Sequence, residues 1–252
     1  MPASVSDELF LFESSRLTEI AATHREAYAA ASPFPHVVLD DFLPTSVAAR
    51  ILEDFPAPDS PVWLDWRKRD GVHHPKKLGL GGIQRLGQNV PYIQHALFAF
   101  NSQPMVRFLE KLTGYSGLIP DPHYVGGGLH QILPGGHLSI HADFNQHPEL
   151  KLYRRLNVLL YLNKDWLPEY GGDLELWDAD MTRCVQSVAP IFNRCVIFNT
   201  DRRSFHGHPE PLTCPPDRTR KSLALYYYGV EPGPDDGEAH RVEWQSRPGE
   251  AA

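Results

Sequence analysis

The chain holds 13 histidines in 252 residues, and H-x-D/E triplets occur at His24/Glu26, His141/Asp143, His147/Glu149 and His208/Glu210. One such triplet alone reads as a solvated or capping pair; context separates the four. His24 lies in a helical pattern, so residue 26 faces another side. His147 precedes Pro148 in a polar stretch, and His208-Pro209-Glu210 is broken by its proline. Only His141-Ala142-Asp143 closes an extended run, 137–143, which follows an earlier run, 128–133, and a P-G-G turn. Residues i and i+2 of a strand share a face, so these two side chains point into one space. With a second imidazole they make a ferrous iron site that keeps open coordination positions.

The second imidazole must come from far along the chain. R-C-V-I-F-N-T, 194–200, reads as an apolar strand, followed by D-R-R and S-F-H-G-H. His206 and His208 are both available. His206, which ends the short strand directly after the D-R-R turn, is the expected ligand; His208 shares its parity and stays the alternative.

A site for an anionic partner is legible in R-K-S-L-A-L-Y-Y-Y, 220–228. Alternation puts Arg220, Ser222, Ala224 and Tyr226 on one face. A planar guanidinium and a hydroxyl two residues apart can grip one carboxylate, as a dicarboxylate co-substrate would require. In R-R-L-N-V-L-L-Y-L-N the same parity groups Asn157, Leu159 and Tyr161, and the Tyr161 phenol is placed to bond the same carboxylate. Arg218 follows the C-P-P-D turn and is expected in solvent.

The order H-A-D, Y-L-N-K-D-W, G-G, D-R-R-x-x-H and Arg in an aromatic strand resembles the prolyl-4-hydroxylase-type branch of the Fe(II)/2-oxoglutarate dioxygenases. The local echo is with the oxygen-sensing prolyl hydroxylases, over about residues 129–228. The resemblance implies iron held by His141, Asp143 and His206. It implies 2-oxoglutarate as co-substrate, its far carboxylate on Tyr161 and Arg220, with dioxygen consumed and ascorbate as a reductant. It sets Tyr226 where the family often has an aromatic residue near the metal. Leu133 stands where the oxygen sensors have a tyrosine before P-G, and Gln131 is the expected replacement for that polar contact. The implied chemistry is oxidative decarboxylation of 2-oxoglutarate coupled to C–H hydroxylation. Halogenating relatives replace the carboxylate ligand with a small residue, so Asp143 favours hydroxylation.

The elements that must position these residues follow from period and punctuation. Helices are predicted over 15–31 and 45–55, with a strand over 36–42 between them, and a further helical stretch over 92–112, interrupted near Pro104. Residues 56–91 read as a long loop. It carries a basic island, W-R-K-R-D-G-V-H-H-P-K-K (66–77), that is a solvated loop or a lid over the iron mouth. From residue 128 onward, short strands between Gly/Pro turns predict an α+β fold with a mainly β core. That core is a double-stranded β-helix (jelly roll, cupin-like) with N-terminal helices packed on one sheet. The expected layout is a single domain over 1–252: a helical part and long loop (1–127), the catalytic core (128–230) and a loose tail (231–252).

No apolar run approaches the ~20 residues a membrane span needs, and from M-P-A-S-V-S-D-E, with no basic or apolar stretch, no secretory signal is expected. Cys184, Cys195 and Cys214 form no C-x-x-C, and a reducing cytoplasm is the expected setting. A net charge of -7 argues against broad nucleic-acid binding. The expected substrate is a small molecule, such as an amino acid or a biosynthetic intermediate. The competing readings are a hydroxylase of a prolyl or other residue in a protein, and a non-catalytic sugar- or metal-binding β-helix. The last gives no reason for Tyr161, Arg220 and Ser222 to converge.

Overall fold

The computed structural model describes residues 11–65, 71–233 and 237–250. In chain order the helices are α1 (Ser14–Ala30), α2 (Thr45–Glu53), α3 (Ile83–Asn89), α4 (Pro91–Phe100) and α5 (Gln103–Thr113). The strands are β1 (His36–Leu39), β2 (Leu64–Asp65), β3 (Lys77–Leu80), β4 (Ile119–Pro120), β5 (Gly128–Ile132), β6 (Leu138–Ala142), β7 (Tyr153–Tyr161), β8 (Leu174–Trp177), β9 (Cys184–Val188), β10 (Cys195–Asn199), β11 (His206–His208), β12 (Arg220–Gly229) and β13 (Glu243–Trp244).

Two antiparallel sheets make the expected jelly roll. The larger runs β1-β10-β7-β12-β5-β3-β2, with β4 also on β12; the smaller runs β13-β6-β11-β8-β9. Strand alternation divides the large sheet into two environments. Leu156, Val158 and Leu160 of β7, with Leu223, Leu225 and Tyr227 of β12, join one apolar cluster with Leu17, Ala21 and Tyr28 of α1 and Ile93, Leu97 and Phe100 of α4. Asn157, Leu159, Tyr161, Ser222, Ala224 and Tyr226, on the opposite face, line a cavity. The helices thus cover one side of the sheet, and the other is left to the site.

The break near Pro104 is real. α4 ends at Phe100, and α5 begins after Ser102 with Pro104 in its first turn, where a missing N–H costs nothing. Gly114, at φ 82, closes α5 in the left-handed conformation that glycine adopts without strain.

Two expectations need correction. The region 56–91 is not one long loop: β3 adds itself to β5, and α3 follows. K-K-L-G-L is too short and too rich in glycine to show a period, and tertiary pairing supplies what local pattern does not. The tail is not loose at its centre either. β13 pairs with β6, setting Glu243 opposite Ala142 and Trp244 opposite His141. Among the described residues, no helix is long and apolar enough to cross a membrane.

Candidate active site

β6 and β11 are antiparallel neighbours in a register that sets His206 directly opposite His141. Their ring centroids lie 4.6 Å apart. Asp143, one residue beyond β6, completes the group. Its Oδ1 is 3.6 Å from His141 Nε2 and its Oδ2 is 3.4 Å from His206 Nε2. One ligand atom from each of the three lies within 4.8 Å of the others, a set that could hold a metal ion. Each Nδ1 lies 2.9 Å from a backbone carbonyl, that of Ser139 for His141 and that of Ser204 for His206. A carbonyl only accepts, so both Nδ1 atoms carry the proton and both Nε2 lone pairs are free for a metal. Burial pushes the His206 imidazole down to about 4 despite Asp143 beside it, so it is neutral, as a ligand must be. His208 is buried in the same cavity but lies outside this three-residue group.

Arg154 is the residue that sequence reasoning missed. It is 1% exposed and its NH2 lies 3.0 Å from Asp143 Oδ2. Its guanidinium also donates to Asn157 Oδ1, through Nε at 3.0 Å and NH2 at 2.6 Å, and sits 3.4 Å over the Tyr226 ring. Asn157 in turn donates to Asp143 Oδ2 at 2.8 Å. Burial raises the Asp143 carboxyl, but Arg154, then His206 and His141, hold it well below the usual range. By simple alternation Arg155, not Arg154, shares the face of Asn157. The ladder between β7 and β12 slips there: Tyr226 opposes Asn157, Tyr227 opposes Leu156, and Tyr228 opposes Arg154. The bulge at Arg155 re-aims Arg154 into the site.

At the other end of the cavity Arg220 is 5% exposed. Its Nε donates to Gly172 O at 2.7 Å, and its NH2 lies 3.3 Å from the Tyr161 hydroxyl. The G-G pair has a steric reason: Gly172 has φ 77, and a Cβ there would sit 2.5 Å from Leu212 and 3.0 Å from Arg220. Ser222 lies opposite Tyr161 on one side and His130 on the other, in a single row across the sheet. Asn157, Tyr161, Arg220, Ser222 and Tyr226 all line the cavity, as alternation predicts. Asn157 reaches it through Asp143, and the Tyr226 hydroxyl donates to Gly126 O at 3.0 Å. Gln131 does not line it. The pleat of β5 turns His130 and Ile132 inward, and Gln131 points to the other face, where it accepts from Thr219 Oγ1 at 2.8 Å. Arg218 lies outside, donating to the carbonyls of Lys164 and Asp165.

The cavity, of about 340 Å³, is also walled by His74, Val242 and Trp244. Trp244 stacks on His73 at 4.4 Å and stands 5.0 Å from the His141 ring. Of the basic island, residues 66–70 lie outside the described residues, so Arg67, Lys68 and Arg69 are not placed. Lys76 donates to Pro134 O, and Lys77 reaches the cavity.

Residues 127–228 match the family model described as the 2OG-Fe(II) oxygenase superfamily. A stretch of 80 residues is 34% identical to prolyl 3-hydroxylase OGFOD1 of Mus musculus, covering 30% of this chain and 14% of the mouse protein. The likeness therefore spans a small part of that relative's length. A prolyl hydroxylase from Trichoplax adhaerens, solved with a hypoxia inducible factor oxygen degradation domain peptide fragment, aligns with TM-score 0.60 and 18% identity over 85% of this chain and 91% of that one. HygX from Streptomyces hygroscopicus, solved with nickel, 2-oxoglutarate and hygromycin B, aligns with TM-score 0.52 and 13% identity over 84% of this chain and 93% of that one. At such identities the two structures speak for the double-stranded β-helix alone. The matched core, residues 127–228, is thus similar to the 2OG-Fe(II) oxygenase superfamily and carries His141, Asp143 and His206 within it.

Proposed function

We propose that the protein couples oxidative decarboxylation of 2-oxoglutarate to hydroxylation of a C–H bond in a small molecule, such as an amino acid or a biosynthetic intermediate. In this reading His141, Asp143 and His206 hold the iron. Tyr161, Arg220 and Ser222 hold the distal carboxylate of 2-oxoglutarate. Iron and 2-oxoglutarate together supply the oxidant. The chain's own residues do the rest. Arg154 and Asn157 hold Asp143 ionised and oriented, and Ser139 and Ser204 fix the histidine tautomers. The apolar surround of Leu159, Leu174 and Ala224 keeps water from the reacting atoms.

The observation that carries the small-molecule reading is the wall formed by β13. A peptide substrate needs an open groove beside the metal, and here Trp244 stands against the His141 ring from a strand paired to β6. The second reading, hydroxylation of a prolyl or other residue in a protein, draws on the likeness to the mouse prolyl 3-hydroxylase. The experiment adds iron, 2-oxoglutarate and a cell extract split by ultrafiltration, and reads succinate. Stimulation by the small-molecule filtrate supports the first reading. Stimulation by the protein fraction alone replaces it with the second, and no succinate under any condition removes both.

A further inference from the structure

We propose that Lys77 is a second cation for the distal carboxylate of 2-oxoglutarate, acting with Arg220 across the large sheet; this rests on the co-substrate site of the reading above and extends it. The placement comes from register. Lys77 opposes Ile132 on β5, and Ile132 opposes Arg220 on β12. The three therefore form one row and share the inward face, and all three line the cavity. Two strand spacings put the outer Cα atoms roughly 10 Å apart, within reach of two long side chains that meet above the middle residue. Arg220 already turns Nε and NH2 toward Gly172 O and the Tyr161 hydroxyl, away from β3. Lys77 approaches the same space from the opposite side.

Charge points the same way. Lys77, Arg154 and Arg220 all line the cavity, against one lining carboxylate, Asp143, among the described residues. Lys77 is half-buried as a residue, with its ammonium enclosed by protein. It is held down to about 8, by burial first, with Asp143 raising it and Arg220 and Arg154 lowering it. Two cations that repel across a cavity invite an anion between them. His208 adds an independent sign of a polar ligand. It is 2% exposed, lines the cavity, and neither of its ring nitrogens has a hydrogen-bond partner. Buried polar groups are rarely left so unless a ligand or water completes them. Gln131, turned to the other face, contributes nothing here.

The test is calorimetric titration into nickel(II)-loaded protein, which does not depend on turnover. Two ligands are compared: 2-oxoglutarate, and 2-oxopentanoate, which keeps the keto-acid end and lacks the distal carboxylate. Lys77→Met keeps the stem and removes the charge. It should weaken 2-oxoglutarate about ten-fold or more, as loss of one charge-assisted hydrogen bond implies, and leave 2-oxopentanoate unchanged. Retained nickel stoichiometry and 2-oxopentanoate affinity show that the variant is folded; should it fail to fold, Lys77→Gln carries the same expectation. Unchanged 2-oxoglutarate affinity, which would leave Lys77 to an anionic prime substrate, overturns the proposal. So do equal losses for both ligands. A wild-type protein that takes nickel but not 2-oxoglutarate would instead overturn the parent reading.

Discussion

Asp143 is where the candidate metal ligands and the groups that orient them meet: it faces both histidines, while Arg154 and Asn157 share its Oδ2. His141→Ala or Asp143→Ala should abolish succinate formation and strongly weaken metal binding while the fold persists, because neither side chain belongs to the apolar cluster under the helices. Metal content of the purified variants checks this, and Asp143→Ala with full hydroxylation would refute the ligand set. The same pair of assays separates His206 from His208: only His206→Ala should lose the metal. A second contrast separates two arginines two residues apart. Arg220→Ala removes a buried guanidinium that faces the cavity, which costs on the order of 2–5 kcal/mol, or roughly thirty-fold or more in 2-oxoglutarate affinity. Arg218→Ala removes only carbonyl contacts outside the cavity and should be nearly silent. Equal losses at both positions would mean that the register assigned to β12 does not describe the working site.

At the scale of elements, alternation was legible wherever a strand runs without a slip. It aligned Arg220, Ser222 and Tyr226 with Asn157 and Tyr161 because β12 and β7 are long and evenly apolar on their other face. It failed at Arg154, since a bulge shifts parity by one and leaves no mark in residue types. Gln131 was expected from the family resemblance rather than from alternation, and the pleat of β5, which turns His130 and Ile132 inward, carries it to the other face. β3 and β13 were not legible: two or four residues with glycine or flanking charge have no period of their own, and pairing partners define them. β13 carries a consequence. It offers Trp244 to the cavity beside the His141 ring, from the small sheet, whereas Arg220, Tyr161 and Ser222 stand on the large one. Trp244→Ala should therefore impair oxidation of the prime substrate more than uncoupled 2-oxoglutarate decay, as loss of a positioning wall does. The ratio of hydroxylated product to succinate measures it, and an unchanged ratio would reduce β13 to cover for the edge of β6.

For the whole molecule, the two sheets hold different halves of the site. His141, Asp143 and His206 belong to β6, its exit and β11 of the small sheet, whereas Tyr161, Arg220 and Ser222 belong to β7 and β12 of the large one. The helices press on the far face of the large sheet, so the main apolar cluster stabilises that sheet without touching the metal group. A metal-bound 2-oxoglutarate held at its far end by Arg220 would tie one sheet to the other. Ligands that bind only the folded state stabilise it by mass action, about 2.7 kcal/mol at a hundred-fold excess over Kd. Nickel(II) alone should raise the unfolding temperature by anchoring β6 to β11, and 2-oxoglutarate added to the nickel protein should raise it again. In Arg220→Ala the first increment should remain and the second should largely vanish. A core variant such as Leu160→Ala should do the reverse: a starting stability lower by about 2–5 kcal/mol from the cavity left behind, with both increments kept, since Leu160 faces the helices and not the site. Thermal unfolding of the three proteins with and without each ligand decides this. If 2-oxoglutarate stabilises Arg220→Ala as much as the wild type, the co-substrate is not bridging the sheets through that residue.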